Sequence, residues 1–125
     1  MKGTADLFAF SLPVKVEFGP GAIDSLSTEL ARNGFEKAAF VVSPGRRRSG
    51  MLDRPIDEFR RRGIRTEVYP GVRENPDVES VAHCAAFLKA HRPEVIIGLG
   101  GGSSLDTAKA AGSCHANGVE DVRAL

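Results

Sequence analysis

The stretch Val95-Ile96-Ile97-Gly98-Leu99-Gly100-Gly101-Gly102-Ser103-Ser104-Leu105-Asp106-Thr107-Ala108-Lys109 decides how the rest of the chain is read. Val95 to Leu99 is short, apolar and rich in β-branched residues, the pattern of a strand covered on both faces. A helix is expected from about Ser104 to Ala116. The three consecutive glycines between them remove side chains where the backbone must approach something closely, and they permit positive φ values. A plain strand-to-helix turn needs one glycine rather than three. Ser103 and Ser104 add hydroxyl groups, and the free amides at a helix start carry partial positive charge. The loop therefore reads as a cradle for a phosphate or pyrophosphate. Its spacing matches neither GxGxxG nor GxxxxGK[ST], so neither template transfers.

The same alternation of strand and helix extends towards the N-terminus. Ala38 to Val42 is a second continuous apolar run, bounded by Ser43-Pro44-Gly45, and Ile64 to Tyr69 is a third strand. A first helix is expected over Ala22 to Asn33, with Ile23, Leu26 and Leu30 on one face and Gly34 as its stop. Met51 to Arg62 carries Leu52, Ile56 and Phe59 on one stripe. Asn75-Pro76-Asp77 starts a third helix through Val78, Val81, Ala85 and Leu88. From about Leu7 to Phe18 the residues alternate around Leu12-Pro13 as a short strand pair would, and Pro13 and Pro20 favour an edge. Strands alternating with helices over short connections define an α/β class, a doubly wound, mostly parallel, Rossmann-like sheet. Ligands of such sheets sit beyond the carboxyl ends of the strands, which singles out the loops after Val42, Tyr69 and Leu99. Val119 to Leu125 follows a helix where another strand would normally come, so the sheet is expected to be incomplete.

With 125 residues and 42% hydrophobic content, a single domain over 1–125 is expected. Seventeen basic against sixteen acidic side chains leave a formal charge of +1, which supplies no global field for nucleic acid or an anionic membrane. Cys84 and Cys114 lie in helical patterns without metal-type spacing and read as small buried hydrophobes in a reducing compartment. No segment approaches the roughly 20 apolar residues of a spanning helix, and the N-terminus shows no signal peptide, so a cytoplasmic location is expected. His83, His91 and His115 show no ligand spacing, and no metal site is assigned to these residues. Asp106 and Lys109 share a face of the last helix, Lys109 as a solvated side chain or as a partner of Asp106.

Four separated motifs carry a family resemblance. Gly100-Gly101-Gly102-Ser103-Ser104-Leu105-Asp106-Thr107-Ala108-Lys109 closely resembles the signature loop of the iron-containing (group III) alcohol dehydrogenases. Val16-Glu17-Phe18-Gly19-Pro20-Gly21-Ala22, Val41-Val42-Ser43-Pro44-Gly45 with Ser49-Gly50, and Asn75-Pro76 follow in the family's order. The resemblance implies the N-terminal nicotinamide-dinucleotide domain of an oxidoreductase. With a C-terminal helical domain absent here, it would move hydride between NAD or NADP and a small alcohol or aldehyde. It places the pyrophosphate on Gly101, Gly102 and Ser103 and lines the cofactor site with Asp106 and Asn75. No residue of this chain is implied in bond chemistry, and a divalent metal, iron or zinc, is expected only in a full-length enzyme. Where many relatives carry a ribose-binding aspartate this chain has Ser43, followed by Arg46-Arg47-Arg48, so NADP is expected to be tolerated. The alternative is a truncated, non-catalytic nucleotide-binding or structural module, whose exposed sheet edge would let it associate with another copy.

Overall fold

The computed structural model describes residue 9 and residues 14–125. In chain order it contains α1 (Leu26–Arg32), β1 (Lys37–Val41), α2 (Pro44–Arg48), α3 (Asp53–Arg61), β2 (Arg65–Tyr69), α4 (Val78–His91), β3 (Val95–Gly98) and α5 (Gly102–Asn117). Short 3-10 turns at Ala22–Ser25 and Val122–Ala124 complete the series. The three strands form one sheet in the order β2-β1-β3, both pairings parallel. The expected α/β doubly wound class is therefore what the chain adopts.

β1 is the centre of the molecule because it is apolar on both faces. Ala39 and Val41 pack with Val81, Cys84, Leu88, Ala111 and Cys114 under α4 and α5. Ala38, Phe40 and Val42 pack on the other side with Leu30, Leu52, Ile56, Phe59 and Ile64 from α1, α3 and their flanking loops. Phe40 and Phe59 meet with ring centroids 5.3 Å apart, and both are buried. Each such ring removed from water is worth about 2–3 kcal/mol before its ordering cost. The two cysteines are free and buried, as the helical patterns indicated. Burial pushes the Cys84 thiol up to about 12.

From β1 the chain passes by α3 to β2 on one side, then by α4 over the opposite face to β3 on the other side. Helices thus cover both faces, as right-handed crossovers require when the direction of travel reverses. The reversal lies between β1 and β3. It opens a crevice at their carboxyl ends, between the loop after Val41 and the loop after Gly98.

Several elements differ from the sequence reading, along with shifts of one or two residues at strand and helix ends. The first helix divides into a 3-10 turn and α1, after Gly21 enters it with φ +75°. α5 begins at Gly102, two residues before the expected start. α2 is a helix where the sequence reads as a charged loop. Of the N-terminal strand pair, residues 14–18 are irregular backbone, while residues 7, 8 and 10–13 lie outside the described residues.

Candidate functional site

The crevice is built from four backbone segments. β3 delivers the glycine loop to α5, and close packing fixes the angle between them. A Cβ placed on Gly98 would stand 2.8 Å from the Ala108 Cβ and 3.3 Å from the Ser104 carbonyl oxygen. Gly100 turns the chain with φ +136°, where a side chain would be strained and a Cβ would crowd the Ser104 hydroxyl at 3.0 Å. Gly101 and Gly102 differ from it. Gly101 is extended, at φ −84°, and a Cβ on either glycine would meet nothing within 4 Å. Neither backbone strain nor internal packing accounts for them, and their bareness leaves open room directly over the start of α5.

Gly101 is the N-cap of α5 and has no side chain with which to cap it. Its carbonyl accepts from the Ser104 and Leu105 amides, both at 3.1 Å, so the earlier amides of the first turn are left for an external acceptor. The aligned peptides of a 16-residue helix add partial positive charge at this point. Thr107, buried, donates to the Ser103 carbonyl at 2.7 Å and holds the first turn in shape.

The loop after β2 closes the crevice from one side. Asn75 adopts φ +48°, a left-handed value an asparagine tolerates, and its amide donates to Ser103 Oγ at 3.3 Å. Asn75 does not cap α4. That role falls to Asp77, whose carboxylate accepts from the Ser80 amide at 2.8 Å while the Ser80 hydroxyl takes the Asp77 amide at 2.9 Å. The Ser80 amide, with its hydroxyl second, holds the Asp77 carboxyl below the usual carboxylate range. Asn75, Pro76, Val81, Gly102, Ser103 and Asp106 line one open cleft. Asp106 and Lys109 are both exposed, and no ion pair joins them among the described residues.

The loop after β1 forms the other side. Ser43 continues the strand in extended backbone and accepts the Arg46 amide at 3.3 Å, capping α2, with Pro44 in the first turn. Arg46 reaches across to the glycine loop, its Nε 3.5 Å from where a Gly100 Cβ would lie. The sequence reading treats the three arginines alike, and the fold separates them. Arg47 instead lines a polar groove beside β2 with Asp53, Asp57 and Arg60.

Thus Asn75, Gly102, Ser103 and Asp106 line one cleft, Gly101 adjoins it as the N-cap of α5, and Ser43 lies in the loop on the other side of the crevice. Pro76, Val81 and Arg46 complete the surroundings without having been singled out as site residues. The histidines are dispersed. His91 Nδ1 is 3.8 Å from a Glu67 carboxylate oxygen, and His115 Nε2 lies 3.3 Å from the Pro93 carbonyl. Among the described residues no group of three or more His, Cys, Asp or Glu side chains could hold a metal ion.

A doubly wound parallel sheet with a bare, glycine-lined helix start at its point of reversal defines a Rossmann-like α/β protein. The sequence over residues 13–124 matches the family described as iron-containing alcohol dehydrogenase, and the chain belongs to that family. It is 34% identical over 117 residues to choline dehydrogenase of Bacillus subtilis (strain 168), covering 92% of this chain and 29% of that protein. To the NADPH-dependent butanol dehydrogenase of Clostridium saccharobutylicum it is 31% identical over 105 residues, 83% of this chain and 26% of the relative. Among solved structures, sulfoacetaldehyde reductase from Bifidobacterium kashiwanohense in complex with NAD+ superposes with a TM-score of 0.80 at 29% identity. That match covers 88% of this chain and 29% of the reductase. The chain therefore spans under a third of the length of these relatives.

Proposed function

We propose that residues 1–125 form the dinucleotide-binding part of an oxidoreductase that transfers hydride between NAD or NADP and a small alcohol or aldehyde. The observation that carries this reading is the open room over Gly101 and Gly102 at the uncapped start of α5. A pyrophosphate there would accept hydrogen bonds from first-turn amides and from the Ser103 hydroxyl, which already receives the Asn75 amide and keeps its own proton to donate. Asn75 and Asp106 on the rim would position the rest of the cofactor. When bound, nicotinamide supplies the carbon that takes or gives hydride.

The described residues do not fit the divalent metal of the family name, since no donor cluster is present among them. No step through a metal is assigned to them. That same observation favours a narrower reading of these residues as a nucleotide-binding module that binds and orients cofactor and performs no bond chemistry. The open sides of β2 and β3 suit association with further protein, including another copy.

Calorimetric titration of the chain with NAD and with NADP tests the proposal. Micromolar to sub-millimolar binding of at least one, lost in Gly102→Asp, is expected. No binding by a folded chain would overturn it. Absorbance of NAD(P)H in the presence of simple alcohols is expected to stay flat with this chain alone.

A further inference from the structure

The two cofactors differ by one phosphate on the adenosine ribose, so selection between them rests on the charge that meets that ribose. No acidic residue occurs from Val42 to Gly50, the loop that leaves the central strand, whereas Arg46, Arg47 and Arg48 do. Ser43, at the tip of that strand, uses its hydroxyl to cap α2. Of the three guanidinium groups, that of Arg46 lies beside the glycine loop, with Nε 3.5 Å from the position a Gly100 Cβ would take. Its only side-chain partner among the described residues is the Met51 sulfur, 3.6 Å from Nη1, a weak acceptor that is readily exchanged for an oxyanion. No carboxylate lies within ion-pair distance of Arg46 among the described residues. An unneutralised guanidinium next to the pyrophosphate cradle is suited to a second phosphate on the same ligand, which it can grip with two parallel hydrogen bonds.

We infer that Arg46 makes this crevice selective for a dinucleotide bearing a 2′-phosphate, NADP(H), over NAD(H). The inference rests on the reading of the crevice as a dinucleotide site. Arg47, turned to the groove beside β2, and Arg48, on the same short helix, supply general field without the contact.

The test is calorimetric titration of the chain with NADP, NAD, 2′,5′-ADP and 5′-ADP, repeated on Arg46→Ala, Arg46→Lys and Arg48→Ala. The expected result is about tenfold tighter binding of each 2′-phosphorylated ligand than of its partner. Arg46→Ala should erase that ratio, costing the 2′-phosphorylated ligands more affinity than NAD and 5′-ADP. Arg46→Lys should keep part of it, and Arg48→Ala should leave it whole. Both positions are exposed on the short helix α2, and matching circular dichroism and melting curves check that the three variants remain folded. NAD binding equal to or tighter than NADP binding would overturn the selectivity and leave the dinucleotide site standing. Equal losses from Arg46→Ala and Arg48→Ala would also overturn it, since a diffuse field would then be responsible. Failure of every ligand to bind would overturn both the selectivity and the site.

Discussion

Gly98 ends β3, Gly100 turns the loop and Gly102 opens α5, and the three are glycines for different reasons. Gly98 lets β3 and α5 touch, so Gly98→Ala should cost about 1–3 kcal/mol of stability through overpacking against Ala108. A urea melt checks this, and an unchanged midpoint would show that the two elements can separate freely. Gly102 faces open room, so a side chain there has no steric cost inside the chain. Gly102→Asp should leave melting unchanged or raise it slightly, because a carboxylate in the first turn complements the helix dipole. The same carboxylate should weaken dinucleotide binding tenfold or more by repelling the pyrophosphate. Stability and affinity moving in opposite directions is the signature of a residue kept bare for a ligand.

At the scale of elements, α4 depends on its cap. The Asp77 carboxyl is held below its usual value, so its ionised form favours the folded chain. That contribution is complete above the usual carboxylate value and is lost as pH falls through the lowered one. Asp77→Ala should therefore melt roughly 2–5 °C lower at pH 7, and the gap should close as the solution is acidified below the usual carboxylate range. A gap independent of pH would assign the effect to helix propensity alone. The elements also show what the sequence discloses. β1 was legible because Ala38 to Val42 has no polar residue, a pattern that only a strand covered on both faces sustains. α2 was not, since Arg46-Arg47-Arg48 after Pro44-Gly45 looks like a solvated loop. Its signal was local and short: Ser43 as N-cap with Pro44 in the first turn. α5 was expected two residues late because glycine is a poor helix former, and Gly102 is tolerated at a helix start where little propensity is at stake.

For the whole molecule, the glycine cradle and its neighbour Asn75 were legible as separate motifs, but their meeting was not. The order β2-β1-β3 decides which loops face one another, and strand order leaves no mark in local periodicity. For the same reason Arg46 could not be distinguished from Arg47 by sequence, since only the fold sends one to the crevice and the other to the groove beside β2. The absence of a donor cluster among the described residues carries a prediction at this scale. A chelator should leave both the melting temperature and dinucleotide affinity of this chain unchanged, whereas saturating cofactor should raise melting on the order of 5–10 °C. A chelator-induced drop would reveal a metal that these residues hold after all. No described helix is long and apolar enough to cross a membrane.

The bond from the Asn75 amide to Ser103 joins segments 28 residues apart in sequence. Its loops hang from β1 through the Val42 amide on the Tyr69 carbonyl, at 2.9 Å, and the Leu99 amide on the Val41 carbonyl, at 3.1 Å. Both long loops must close before this corner exists, and closing them is the slow part of building a parallel sheet. The ability to bind a dinucleotide should consequently return last in refolding, with the rate constant of the slowest sheet-forming phase. Fluorescence of bound NADPH, followed after dilution from urea, would then serve as a clock for completion of the fold.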